Sequence, residues 1–289
     1  MFSKQSALLV SLLLPLSLFS QSGPLKVITP AEAESHVVAR SEPAIPKLAL
    51  TTGIGGTVRL RVVIAPSGDV SSVKVISGHP FFIKSAIEAV NKRKYRPFVE
   101  DGKPIAVEAE VDLYFPNRKD LETHDRFVAA GKKCRSLVLA NKFKEADKKC
   151  SEAVRISNEL PDNAILERSQ ARALLAHAMF VQHRYQEAVP LYEEALKLDK
   201  GYLKSNDADL ATDYANLGRA YAASGDRAGA DGLFATSVST FQAAIENLPQ
   251  MKQNYTERLK RTLAEYAQLK EAAGQGEAAQ ELRNKAAGL

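Results

Sequence analysis

Five histidines, at positions 36, 79, 124, 177 and 183, are the first side chains to weigh for chemistry. His177 and His183 are six residues apart, which puts them on opposite faces of a helix, whereas a helical metal pair needs the i, i+4 spacing. His79 stands directly before Pro80 and reads as a helix-entry residue. The string Gly53-Ile54-Gly55-Gly56 precedes a strand pattern, whereas a phosphate-cradling loop must follow a strand and open a helix. The sequence has no Gly-x-Ser-x-Gly elbow. Acidic residues are many, but no two of them stand out from the solvated charges of helices. The residues thus point to no catalytic, metal or cofactor constellation, and an enzyme stays only as the reading that needs a pocket of unrecognised type.

The elements that would position other kinds of site are better marked. The chain has 289 residues, 45% of them hydrophobic and 25% charged, enough for about two globular domains. A net charge of +5 is too small a surplus to imply a nucleic-acid partner. The densest basic clusters, Lys92-Arg93-Lys94 with Arg96, and Lys142, Lys144, Lys148 and Lys149, read as solvated faces. At the start, Lys4 precedes an uncharged apolar run from Ala7 to Phe19, followed by Ser20-Gln21-Ser22-Gly23. This order reads as an export signal over residues 1–22, cleaved after Ser22. The run is too short to span a bilayer and is interrupted by Pro15, and no cysteine near it could carry a lipid. The expected location is the periplasm; retention as an inner-membrane anchor is the alternative.

Residues 23–52, with prolines at 24, 30, 44 and 46, read as a mostly extended lead-in with one short helix around Ala31 to Ala39. From Gly53 the pattern changes. Val58, Leu60, Val62 and Ile64 alternate with Arg59, Arg61 and Val63, the period of a strand with one buried face. Pro66-Ser67-Gly68-Asp69 is a turn leading to a second strand, Val70 to Ile76. Pro80 opens a helix with Ile83, Ala86, Ile87 and Val90 on one face, ending near Lys94. Tyr95 to Val99 is short and extended, Asp101-Gly102 is a turn, and a last strand alternates Val107, Ala109, Val111, Leu113 and Phe115 with Glu108, Glu110, Asp112 and Tyr114. Strand, strand, helix, strand gives an α+β domain, a helix on an antiparallel sheet.

Gly56 with the first strand, Gly68 and Val70, Ser77-Gly78, Ala86 and Ala89, Tyr95-Arg96-Pro97 and Gly102-Lys103-Pro104-Ile105 occur in an order that resembles the TonB C-terminal domain, over residues 53–116. The resemblance implies docking: the edge of the last strand, Ile105 to Phe115, would accept an extended peptide from an outer-membrane receptor by strand addition. The edge residues are then Ile105, Val107, Glu108, Glu110, Asp112 and Tyr114. The chain departs from an energy transducer in having no spanning helix with a polar motor-contacting residue and no long proline-rich rod, and the domain lies mid-chain.

From Asp120 onward the pattern is helical, and it repeats. Leu217-Gly218-Arg219-Ala220-Tyr221, Gly225-Asp226, Ala230, Phe234 and Ser237 are spaced as in a tetratricopeptide repeat, with Leu175 to Ala195 and Cys134 to Ala153 in equivalent places. Ala146, Ala188 and Ala230 are 42 residues apart, and the segment Tyr185 to Tyr221 resembles the longer repeats of kinesin light chain. A fourth, degenerate unit runs through Leu263, Tyr266, Leu269, Gly274, Ala278 and Leu282, with one residue of slack, as a terminal cap. Residues 120–289 are thus expected to form an all-α helical solenoid. By the resemblance its inner wall carries Arg135, His177, Asn216 and Arg219, either as a groove for an acidic or extended peptide or as ordinary solvated surface.

Repeat register and an oxidising compartment together bear on Cys134 and Cys150, the only two cysteines. The register places them on facing helices of the first pair, close enough for a disulfide; two buried free thiols are the alternative. The reading as a whole is a non-enzymatic, exported adaptor in a TonB-type transport system, binding proteins or peptide segments and needing no cofactor. An envelope scaffold unrelated to transport stands beside it, because fold does not fix function.

Overall fold

In the computed structural model, which describes residues 25–289, the chain divides into two compact units. Among the described residues, one holds 25–45 together with 57–114; the other holds 46–56 with 115–289. The export signal expected over residues 1–22 lies outside the described residues.

The elements in chain order begin with β1 (Lys26–Val27), α1 (Pro30–Ser35), β2 (Val37–Ala39), α2 (Lys47–Thr52), β3 (Gly56–Ile64) and β4 (Val70–Ser77). Then come α3 (Pro80–Asn91), β5 (Lys94–Tyr95), β6 (Phe98–Glu100), β7 (Lys103–Ile105) and β8 (Val107–Phe115). The main sheet of the first unit has the order β1-β8-β3-β4. Its period-two strands do what their alternation requires: Val58, Leu60, Val62 and Ile64 of β3 and Val107, Ala109, Leu113 and Phe115 of β8 are all buried, while the residues between them face outward. The α3 residues Phe82, Ala86, Ala89 and Val90 are buried as well. Burial of side chains the size of Phe82 or Phe115 stabilises by about 2–3 kcal/mol each. Pro80 opens α3, and His79 caps it, its Nδ1 accepting from the Phe81 N–H at 3.3 Å. In the β3–β4 turn Gly68 sits at φ +85°, and a Cβ there would meet the Tyr95 carbonyl oxygen at 1.9 Å, so no other residue fits.

Two features of this unit differ from the sequence expectation. Of the segment expected as an extended lead-in, the described residues up to 45 are folded into the unit, and Ile28, Ala33 and Val37 are buried. Here β1 runs parallel to β8, with Lys26 opposite Val107 and Val27 opposite Glu108, and β2 pairs antiparallel with β5. Thr29 ends β1 by capping α1, its Oγ1 accepting from the Glu32 N–H at 3.1 Å, with Pro30 at the first helical position. The second difference concerns Ile105, which belongs to the hairpin β6–β7 opposite Phe98 instead of to the last strand. Asp101 and Gly102 both take positive φ, 49° and 74°, as a tight primed turn demands, and this sends residues 103–105 back along β6 before β8 begins at Val107.

The second unit is helical. Its pairs are α4 (Arg118–Leu139) with α5 (Phe143–Glu159), α6 (Ile165–Phe180) with α7 (Tyr185–Tyr202), α8 (Ala208–Ser224) with α9 (Arg227–Asn247), and α10 (Lys252–Ala272) with α11 (Gly276–Ala287). Asn117 and Asp120 close a capping box at the start of α4. The repeat is visible in the backbone itself: Asn141, His183 and Gly225 all hold left-handed φ in the turn inside each of the first three pairs, and each is 42 residues from the next. Three residues into each second helix, Ala146, Ala188 and Ala230 are fully buried, the small side chains that let paired helices approach. In the last pair the equivalent buried alanine is Ala279, not Ala278, because the longer α9 and the single turn Pro249–Met251 shift the register. Cys134 of α4 and Cys150 of α5 form a disulfide with Cα atoms 5.0 Å apart, both residues fully buried. No helix among the described residues is long and apolar enough to cross a membrane.

Candidate functional site

The rim of β8 is set by the alternation of the strand. Glu108, Glu110, Asp112 and Tyr114 lie on the face opposite the buried residues. Three of them meet β3 through charge: Arg59 grips Asp112 with two hydrogen bonds at 2.8 Å, Arg61 reaches Glu110 at 3.0 Å and Glu108 at 3.6 Å. Solvent reaches all of these groups, so the pairs add little to stability. Their reversed order along the two strands nevertheless fits only one register. On the other side of β8, the Ile28 N–H donates to the Glu108 carbonyl at 2.9 Å. Backbone groups alternate sides along a strand, so the N–H and C=O of Glu110 and Asp112 point the same way as those of Glu108, toward the rim and away from β3. Val107 is the first residue of this rim; Ile105 lies outside it in β7.

In the helical unit, Arg135 on α4, His177 on α6 and Arg219 on α8 occupy one position of successive repeats, each 42 residues from the next. The structure brings these three together electrostatically. Burial holds the His177 imidazole below its ordinary pKa, and the positive charges of Arg219 and Arg135 push it the same way, so the ring is neutral at pH 7. Asn216, one turn before Arg219, accepts a hydrogen bond from its guanidinium. That guanidinium also lies 5.8 Å from the centre of the Phe180 ring and 3.6 Å from Glu265 on α10, and its Nε is buried without a hydrogen-bond partner among the described residues. Burial raises the carboxyl pKa of Glu265 despite Arg219 and Arg261. Phe180 and Glu265 were not among the expected wall residues. Phe180 ends its helix, and Glu265 lies past the register shift that a fixed 42-residue period misses.

A further cluster escaped the sequence reading altogether. Ser169 of α6 donates a hydrogen bond to the Asp199 carboxylate of α7, and Asp199 is hydrogen-bonded to Asp213 of α8. Desolvation, followed by the hydrogen bond and charge of Asp199, pushes the Asp213 carboxyl up to about 9, so Asp213 keeps its proton at pH 7 and donates it to Asp199. The signal was present in register: Asp199 continues the buried stripe Ala188, Tyr192, Ala195, and Asp213 stands between buried Leu210 and Leu217. The arrangement is a hydrogen-bonded lock joining three helices, in which the two carboxyls share one proton and the Ser169 hydroxyl supplies a further donor. Among the described residues, no group of three or more His, Cys, Asp or Glu side chains is placed to hold a metal ion.

Comparison with known proteins finds a family match in each unit. Residues 41–116 match the family described as Gram-negative bacterial TonB protein C-terminal, and residues 167–243 match the tetratricopeptide repeat family. No curated protein matches the chain. Among solved structures, the TonB C-terminal domain of Pseudomonas aeruginosa is 26% identical over 27% of this chain and 82% of its own, with a TM-score of 0.25. The kinesin-light-chain TPR-like repeats of Podosopora anserina are 19% identical over 56% of this chain and 94% of theirs, with a TM-score of 0.39. A tetratricopeptide-like protein of Chlorobium tepidum is 18% identical over 50% of this chain and 98% of its own, with a TM-score of 0.37. Both families are non-enzymatic interaction domains, and the TonB-like one suggests a protein of the bacterial envelope.

Proposed function

We propose that this chain is an exported adaptor in a TonB-type transport system, taking an extended peptide segment of an outer-membrane receptor on the rim of β8 and a second protein in the helical groove. One observation carries the first half: the outer side of β8 already accepts a parallel strand, β1, through the Glu108 carbonyl. A rim that pairs with one extended segment has the backbone geometry to pair with another. The second half rests on the Arg135, His177 and Arg219 row, in which two arginines stand one repeat to either side of the imidazole and suit the carboxylates of an acidic peptide.

The direct test is Glu110→Pro. Its lost N–H faces the rim, so the ladder to β3 is spared while peptide pairing is blocked. The expected result is a folded variant that loses at least about tenfold in affinity for receptor peptides, the cost of about one charge-free hydrogen bond and a blocked strand. Unchanged binding by the folded variant would place the site elsewhere. Pull-down of the chain freed of residues 1–22 from detergent-solubilised envelope separates transport from scaffolding: a receptor supports the former, peptidoglycan-associated proteins alone the latter.

A further inference from the structure

The rim of β8 is partly covered by the chain itself, and the cover is slight. Among the described residues only Lys26 and Val27 pair with it, fewer than an ordinary strand uses. Val27 is 72% exposed and buries almost nothing; the ion pair of Lys26 with Glu100, at 2.7 Å, is open to solvent at both ends. The anchor is Ile28, 5% exposed, whose N–H makes the bond to Glu108. Because Thr29 and Pro30 start α1 at once, β1 cannot lengthen along β8. The outer side of Ala109 to Leu113 therefore carries no strand among the described residues, although the backbone groups of Glu110 and Asp112 point that way. An extended peptide parallel to β8 that used the whole rim would make more backbone bonds than β1 does, and it would need the two positions that β1 holds.

We propose that residues 26–28 are a displaceable internal stand-in for the partner peptide: they occupy the entry end of the β8 rim in the resting chain and leave it when an extended peptide with an aliphatic residue at the place of Ile28 pairs along the strand. This rests on the reading of β8 as the docking edge and adds that docking is competitive within the chain. Competition lowers apparent affinity by the fraction of molecules whose rim is open, so weakening β1 strengthens binding of a peptide in trans.

The probe is a fluorescent synthetic peptide copying residues 25–36, titrated into the chain freed of residues 1–22 and into its Ile28→Pro and Ile28→Asp variants. Circular dichroism and melting verify that each is folded. The expected result is binding about tenfold or more tighter to the two variants than to the unaltered chain. A second measurement does not depend on the variants: in the nitrogen-labelled unaltered chain, saturating unlabelled peptide accelerates amide exchange at Ile28. Equal affinity for all three chains, with exchange at Ile28 unchanged, overturns displacement while leaving the docking edge standing. Absence of binding to every folded chain overturns the docking reading along with it.

Discussion

Asp213 carries the largest resolved carboxyl shift in the helical unit, and it has a direct consequence for stability. Its carboxyl is pushed up to about 9 in the folded chain from an ordinary 3.8, so the folded state binds a proton that the unfolded state has released across that interval. Stability must then fall as pH rises from about 4 to about 9, by at most about 1.4 kcal/mol per pH unit for one proton. Asp213→Asn retains a donor toward Asp199 and removes the titration. Thermal melts between pH 5 and 9 should show the variant gaining on the unaltered chain as pH rises; parallel profiles would contradict the account. The inward register of each aspartate follows from the helical period, but their meeting was not legible in the sequence, because fourteen residues and the turn between two helices separate Asp199 from Asp213 and no local period joins them. His177 shows the opposite case: its place on the groove row could be read from the repeat, whereas its neutral state depends on burial beside two arginines from other helices.

Elements longer than about eight residues announced themselves. The nine-residue strands β3 and β8 alternate cleanly, and the 42-residue repeat recurs in the buried alanines and in the left-handed turn residues. A strand of two or three residues is too short to show a period, so β1 and β2 were hidden in a proline-containing stretch, and the turn at Asp101-Gly102 concealed that Ile105 pairs backward with Phe98. The disulfide between α4 and α5 was expected from register, and the structure contains it. With a sequence separation of 16 its closed loop is short, and the chain-entropy account assigns it about 3 kcal/mol. Reduction removes the cross-link without removing atoms from the buried site, which makes it a cleaner test than substitution. Denaturant unfolding followed by the helical signal should lose about 2–4 kcal/mol on reduction. No loss would mean that helix packing alone already restrains the first pair.

At the scale of the molecule, two interaction modules follow each other in one chain, a sheet with a backbone-pairing rim and a stack of helix pairs with a charged wall. In the proposed function each recognises an extended peptide, by backbone bonds in one and by side-chain charge in the other. The central claim is that the rim of β8 receives a partner strand. It is tested most directly by placing a photo-crosslinking residue at Glu110 or Asp112 of β8, and at Ser72 or Lys74 of β4 as controls, in cells bearing the chain. The account predicts adducts from the β8 positions, mapped by mass spectrometry to an extended segment of an outer-membrane receptor, and none from β4. Adducts from β4 alone, or β8 adducts confined to proteins without such a segment, would contradict it.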